Sequence, residues 1–481
     1  MKNSFQIMFF AVFMFSMLLY GNTSTTQKTF ADTTNTKEKP PNIILIMADD
    51  LGFGDVGFNE NKEVLTPQMD YMAKKGITFT NFYAAAPLCS PTRASVLTGR
   101  DPFRQGIFAA HTEGMRPAEK TIPELLKVEG YSTGFFGKWH LGWLEPDKVE
   151  SRGKYSPPWH HGYDETFATK SAVPTWDPTK TPKGWTSWGS QEDGSWGGSI
   201  YIRNGEPVTD NLEGDDSRII MDRAIPFIEN SINKQQSFFA TIWFHTPHEP
   251  VVAGPEYLAK YPNLPLGKQH YYGSITAMDD QIGRLKDFLK AQDVLENTII
   301  FFCSDNGPAD PQVRKGNASA KPFKGHKHQM WEGGLRVPSF VYWPGKITDG
   351  KISHYQSSTN DYLPTILDIL GVTLNKKHVL DGVSLKPIIF SDQNLERLIP
   401  IASGYKRLYN GTELYAFVKG RYKICIPEKG DKMMLFDLKN DPGETNNLAA
   451  EKTELLNSMI AELEELKISW KQSREGKDYK W

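Results

Sequence analysis

Cys89-Ser90-Pro91-Thr92-Arg93, with Leu97-Thr98-Gly99-Arg100 following, sets a thiol beside a permanent cation. Pro91 fixes the backbone and withholds an N–H. The run Ala94-Ser95-Val96-Leu97 is helix-compatible, so Cys89 is expected at or just before a helix N-terminus, where free N–H groups and the macrodipole favour negative charge. Taken alone, one cysteine among 3 in a chain of 481 residues is more often a small buried hydrophobe than a nucleophile. Its reading depends on five other segments.

Ala48-Asp49-Asp50-Leu51-Gly52 and Ser304-Asp305-Asn306-Gly307 each follow an apolar, strand-like run. Singly, either pair reads as a cap or a turn. Together with Cys89 they read as hard oxygen ligands for a divalent cation, since Ca²⁺ takes about six to eight oxygens, many from carboxylates and Asn carbonyls. Gly137-Lys138-Trp139-His140-Leu141-Gly142 brings Lys138 and His140 near another strand end; alone they read as a solvated pair. His245-Thr246-Pro247-His248-Glu249-Pro250 has two prolines holding two histidines in a loop. The cationic, glycine-punctuated stretch Lys324–Pro338 contains Lys327; alone it is a basic surface loop.

The elements that must position these groups alternate. Strand-like runs are expected at 41–47, 131–136, 237–244 and 297–303, with helical patterns at 66–76, 121–130, 215–231 and 272–292. This alternation predicts an α/β fold, a large and mainly parallel sheet sandwiched by helices, with ligands at the carboxyl ends of the strands. Segment 143–210 interrupts the rhythm. It holds Trp143, Trp159, Trp176, Trp185, Trp188 and Trp196, half of the chain's 12 Trp, a content that argues against disorder. These rings either stack on sugar faces beside the site or pack the insertion on the core. From 388 the pattern changes to a hairpin turning at Lys419-Gly420, a strand near 435 and a helix at 450–470, which together predict a smaller C-terminal α+β subdomain over 388–481.

Residues 1–21, with one early Lys and a short apolar core, read as a secretory signal peptide, and 22–40 as a disordered mature N-terminus. The apolar run is shorter than the roughly 20 residues a membrane span needs, and no second one follows, so no membrane span is expected in the mature chain. Cys303 and Cys425 lie in apolar strand-like runs and read as buried thiols, not a disulfide. A net charge of −2 supplies no field for nucleic acid. Asn317 and Asn410 head glycosylation sequons, which matter only in a eukaryotic source; the Lys-bearing leader and the lack of a disulfide framework favour bacterial export, periplasmic or secreted.

The Cys89 segment resembles the signature of type I sulfatases, C-x-P-[ST]-R-x(4)-T-G, at every fixed position. The segments at 137–142, 245–250 and 325–338 resemble that family's G-K-W-H-L-G, H-x-P-H-x-P and G-x-K-x(4)-E-G-G-x-R-V-P blocks in order. Leu435–Leu438, Asp441–Glu444 and Asn447–Ala449 resemble its C-terminal block, so the likeness runs from about residue 41 to 449. It implies an alkaline-phosphatase-like fold, with 41–387 as the catalytic domain.

It implies too that a maturing enzyme oxidises Cys89 to formylglycine, whose hydrate attacks sulfur, and that Asp49, Asp50, Asp305 and Asn306 bind one Ca²⁺ with the modified Cys89. By the same resemblance Arg93 supports the ionised hydroxyl, and Lys138, His248 and Lys327 hold sulfate, the last two also stabilising the leaving alcohol. His140 takes the proton that lets the hydrate collapse and expel sulfate. His245 and His326 fall outside the pattern and read as substrate contacts or, rather more, loop packing. The implied activity is hydrolysis of sulfate monoesters on a sulfated carbohydrate, either an algal polysaccharide such as ulvan or carrageenan or a glycosaminoglycan. Two alternatives remain: a phosphomonoester, phosphodiester or phosphonate hydrolase on the same scaffold, favoured less because residue 89 is Cys, and an inactive glycan-binding relative, which would have lost site residues.

Overall fold

Asn42–Ala48 (β1) is buried along its whole length. Side chains alternate between the two faces of a strand: Ile44, Ile46 and Ala48 join one hydrophobic cluster, whereas Ile43, Leu45 and Met47 join another. A strand apolar on both faces needs cover on both. Helices Pro67–Lys75, Asp216–Asn233 and Leu266–Ala291 supply it on the first face, and helices Cys89–Thr98, Ile122–Val128 and Tyr362–Leu370 on the second. The computed structural model describes residues 39–110, 114–145, 154–374, 378–391 and 395–479. The expected leader, 1–21, and residues 22–38 of the polar stretch lie outside the described residues. Among the described residues, no helix is long and apolar enough to cross a membrane.

After β1 come β2 (Ile77–Phe79), β3 (Phe82–Tyr83), β4 (Ser132–Lys138), β5 (Glu165–Thr169), β6 (Tyr201–Arg203), β7 (Glu206–Pro207), β8 (Phe238–Trp243), β9 (Thr298–Ser304), β10 (Ser339–Tyr342), β11 (Lys351–Ser353) and β12 (Ser357–Ser358). Ten of them form one sheet in the order β11-β2-β10-β9-β1-β8-β4-β5-β6-β7, and β12 pairs with β3. The centre, β9-β1-β8-β4-β5, is wholly parallel. Antiparallel β10 flanks it on one side and the β6–β7 pair on the other. The expected α/β sandwich is therefore present, with a parallel centre, antiparallel pairings on either side of it and a parallel β2–β11 pair at one edge.

Residues 401–437 build an antiparallel sheet of β13 (Ile401–Lys406), β14 (Glu413–Lys419), β15 (Tyr422–Cys425) and β16 (Met434–Asp437). Helix Thr453–Arg474 packs on one face through Met459, Leu463 and Trp470. The other face, with Leu414, Ala416 and Val418, packs against Leu88, Cys89 and Trp331. The C-terminal α+β unit thus presses on the helix end that carries Cys89.

Several boundaries differ from expectation. Segment 143–210 interrupts nothing in the sheet: it supplies β5, β6 and β7. Thr166-Phe167-Ala168 is too short to show a period amid its Trp, Gly and Pro neighbours. Lys138 is the last residue of β4 rather than beyond it, because Gly137 takes φ 112° at its close approach to Trp243 O. The helix expected at 272–292 begins at Leu266, and the last helix is shifted to Thr453–Arg474. Lys419 pairs with Tyr422, so the hairpin turns at Gly420-Arg421, with Gly420 at φ 56°. Cys303 and Cys425 are buried free thiols in β9 and β15, as read from their apolar runs.

Candidate active site

The five central parallel strands end at one edge of the sheet, and chemistry-bearing residues follow each of them. Ala48 pairs with Ser304 in register, so Asp49-Asp50 after β1 and Asp305-Asn306 after β9 lie side by side. The Asp50 N–H donates to Asp305 Oδ1 (3.1 Å), and Asn306 Nδ2 donates to Asp50 Oδ1 (2.7 Å). The Ser304 hydroxyl locks the two loops by accepting from Leu51 N (3.0 Å) and donating to Asn306 O (3.0 Å).

Arg93 projects from the second turn of helix Cys89–Thr98 and is fully buried. Its Nε and Nη2 donate to Asp305 Oδ2 at 3.1 and 2.6 Å, Nη1 donates to Lys138 O at 2.9 Å, and the guanidinium lies 5.1 Å from the Trp243 ring centroid. Lys138 Nζ reaches Asp49 Oδ2 (2.6 Å), and Lys327 Nζ reaches both Asp50 oxygens (2.6 and 2.9 Å). His248 Nε2 stands 3.7 Å from Asp50 Oδ2 while Nδ1 donates to Glu249 O (2.6 Å), which fixes the ring's orientation. Cys89, the first residue of its helix, is 2% exposed and has the free helix N–H groups around it.

Electrostatics follow from this crowding. Burial works to raise the Asp49 carboxyl, but Lys138, His248, Arg93 and Lys327 together hold it well below the carboxylate range. Burial pushes the Cys89 thiol up, against the pull of Lys138 and Lys327. Burial lowers Lys327, yet the Asp50 carboxylate holds it above the ordinary lysine range. Burial and then Lys138 push His248 down to about 4.

Two buried oxygens, Asp49 Oδ1 and Asn306 Oδ1, accept no hydrogen bond. Asp49, Asp50 and His248 also present ligand atoms within 4.8 Å of one another. Orphaned oxygens backed by three carboxylates are a donor set that suits a hard divalent cation, for which the oxygens are better ligands than the imidazole of His248.

Asp49, Asp50, Cys89, Arg93, Lys138, His140, His248, Asp305, Asn306 and Lys327 thus gather at one edge. Cys89, His140, His248 and Lys327 line a cleft of about 700 Å³ whose walls come from Leu88, Trp143, Leu144, Trp188, Gly198 and Ile200, among others. Asp50 (φ 65°), His140 (φ 56°) and His328 (φ 72°) all adopt the left-handed region there, which Asp and His tolerate better than most residues. His245 is fully buried, bonded to Asp216 Oδ2 (2.8 Å) and Thr169 Oγ1 (2.7 Å), and His326 sits 3.2 Å from Asp310 Oδ1. Both pack their loops.

Sequence reading missed Ser90, His328 and Lys170. The Ser90 hydroxyl donates to His140 O (2.6 Å), so the residue beside Cys89 ties down the loop of the expected base. His328 and Lys170 line the cleft. Only the nearness of His328 to Lys327 and of Lys170 to the end of β5 could have marked them.

A family profile described as Sulfatase matches residues 41–372, and one described as N-sulphoglucosamine sulphohydrolase, C-terminal, matches residues 325–469. The chain is 32% identical over 405 residues to N-acetylgalactosamine-6-sulfatase of Mus musculus, covering 81% of this chain and 72% of that one. It is 30% identical over 467 residues to arylsulfatase A of Bos taurus, covering 89% and 87%. The crystal structure of Ps i-CgsB in complex with k-i-k-neocarrahexaose superposes with a TM-score of 0.79 at 28% identity, covering 92% of this chain and 97% of that chain.

Proposed function

From the premise that this chain belongs to the sulfatase family and is a sulfuric ester hydrolase, we propose that its substrate is a sulfated carbohydrate and that Cys89, converted to formylglycine by a maturing enzyme, supplies the nucleophile. The observation that carries this reading is that Lys138, His248 and Lys327 and the oxygen-bearing Asp49, Asp50, Asp305 and Asn306 contact one another beside Cys89. The names of two similar proteins, an N-acetylgalactosamine-6-sulfatase and a neocarrahexaose complex, support a carbohydrate substrate.

A sulfate monoester carries one negative charge, and its bridging oxygen gathers more as the S–O bond breaks. Fixed cations placed where that charge develops stabilise the transition state. Lys138 and Lys327 are the fixed cations that bind the sulfate oxygens; His248, whose Nδ1 proton is committed to Glu249 O, joins them when Nε2 also carries a proton, and with Lys327 it faces the departing alcohol oxygen. Arg93, pinned by Asp305 and Lys138 O, cannot swing away and supports an ionised oxygen at residue 89. His140, whose loop Ser90 holds, takes a proton from the second hydroxyl of the hydrate at residue 89. The hydrated aldehyde supplies a hydroxyl nucleophile that a thiol lacks. Asp49, Asp50, Asp305 and Asn306 would hold Ca²⁺ with it, and the ion supplies Lewis-acid charge to the sulfate oxygens. Export through the leader at 1–21, into the periplasm or medium, belongs to the same reading, because sulfated polysaccharides are met outside the cell.

Sulfate release from defined sulfated oligosaccharides, run beside phosphate mono- and diesters and phosphonates, tests the reading. Sulfated sugars are expected to be turned over by a kcat/KM at least about 10³-fold higher than phosphate esters, within the usual enzymatic range. Preference for phosphate esters, or glycan binding without turnover, would sink it. Mass spectrometry of the peptide carrying Cys89, from the native host, is expected to show replacement of the thiol by an aldehyde; an intact thiol in active enzyme would overturn the nucleophile.

A further inference from the structure

Six tryptophans in segment 143–210 are candidates for contact with a sugar, and the structure separates them. Trp159, Trp176, Trp185 and Trp196 do not line the cleft. Trp196 is 6% exposed and belongs to the core. Trp143 does line the cleft, but the Lys170 ammonium sits 2.9 Å from its ring centroid and covers that face. Trp188 alone among the six is both at the cleft and exposed, at 44%.

Trp188 is held there deliberately. Trp185 meets it edge-on at 5.9 Å and donates its indole N–H to Trp188 O (2.9 Å). Trp196 meets it at 5.1 Å with the rings at 71°. Glycines make this bed possible: a Cβ at Gly189 would lie 2.4 Å from the Trp196 ring, and one at Gly198 would lie 2.6 Å from Trp196 Nε1. The Trp188 ring then stands 6.2 Å from His248, tilted by 70°, beside the residues facing the sulfate. An indole fixed by two others and left open to water keeps exposed apolar area that folding would otherwise bury. A rigid aromatic with few rotatable bonds is a low-entropy platform for an apolar ligand face.

We propose that Trp188 is the specificity-determining platform of the cleft, taking the C–H face of the sugar ring whose sulfate ester rests among Cys89, His140, His248 and Lys327. This rests on the reading of the cleft as a sulfated-carbohydrate site. Sulfate fixes the ring at the floor, and Trp188 fixes the plane of the ring. Substrates whose sulfated carbon cannot be presented with an unobstructed C–H face toward Trp188 are turned away, and equatorial hydroxyls leave such a face open.

The test compares wild type, Trp188→Ala and Trp188→Tyr on the best sulfated oligosaccharide of the panel, together with inhibition by inorganic sulfate, which reaches only the floor. Trp188→Ala is expected to raise KM about tenfold, equivalent to about 1.4 kcal/mol, while the inhibition constant of inorganic sulfate shifts less than about threefold, below about 0.7 kcal/mol. Trp188→Tyr is expected to recover most of the loss, because it restores an aromatic face. An unchanged KM in Trp188→Ala overturns the proposal, and so does a parallel loss of sulfate inhibition, which would mean that the floor had been disturbed. Failure of the wild type to act on any sulfated sugar would instead overturn the functional reading beneath it, so the two failures are told apart.

Discussion

Asp49 Oδ1 and Asn306 Oδ1 are buried oxygens that accept no hydrogen bond, and each such group costs about 1–3 kcal/mol when left unsatisfied. Nearby side chains do not relieve them: Lys138 is spent on Asp49 Oδ2, and Arg93 Nη2 is 3.6 Å from Asp49 Oδ1. A divalent cation held between the loops of Asp49 and Asn306 would satisfy them. Adding Ca²⁺ to chelator-stripped protein is therefore expected to raise the melting temperature, by the equivalent of about 2.7 kcal/mol at a hundredfold excess over Kd. Asn306→Ala should lose most of that increment, because it removes one of the two orphaned oxygens. Calorimetry with and without chelator reads this independently of turnover, and identical melting curves for stripped and Ca²⁺-loaded wild type would rule out the metal set.

At the level of elements, the loop that carries Lys327 is clamped from the far side. Glu332 is fully buried; it takes Lys423 Nζ at Oε1 (2.9 Å), Arg336 at Oε2 (2.6 Å) and the Tyr83 hydroxyl at 3.0 Å. Lys423 in β15 also pairs with Glu444 (2.8 Å), which in turn accepts from Glu332 N (2.6 Å). Removing one member of such a cluster strands buried charge, so Lys423→Met is expected to destabilise by about 3–5 kcal/mol, read as a lowered urea midpoint. A loss below about 1 kcal/mol would mean that the cluster clamps nothing.

The same contrast explains what could be read in advance. Asp49, Asp305 and His248 were legible because each follows a continuous apolar run, the mark of a strand buried on both faces, and a parallel sheet brings such ends together. Lys138 was legible as chemistry but misplaced by one element, since nothing local shows that Gly137 lets β4 continue. Lys423 and Ser90 were invisible: their partners, Glu332 and His140 O, lie 91 and 50 residues away. β5, Glu165–Thr169, was missed because Glu and two Thr among its five residues leave no apolar run to mark it.

On the scale of the molecule, Pro40–Trp481 cluster as one compact unit, and the C-terminal sheet and helix have no core that is theirs alone. Leu414, Ala416 and Cys425 share a cluster with Leu88, Cys89 and Leu335, while Phe103 packs with Tyr415 and Trp470. Polar ties cross as well: Trp470 Nε1 donates to Asp101 Oδ2 (2.9 Å), Arg104 to Ser473 Oγ (2.8 Å), and Arg100 pairs with Asp478 (2.6 Å). Chains of this length commonly unfold in steps, yet here no plane separates the terminal sheet from the helix that bears Cys89. A single calorimetric transition is expected, with the calorimetric enthalpy close to the van't Hoff value. Trp470→Ala, which opens a cavity at 1% exposure, should cost about 3–5 kcal/mol and move the whole transition down. Were it to split off a separate early transition while the remainder melted at the wild-type temperature, the terminal unit would be an independent domain, and the packing of Cys89 would owe nothing to it.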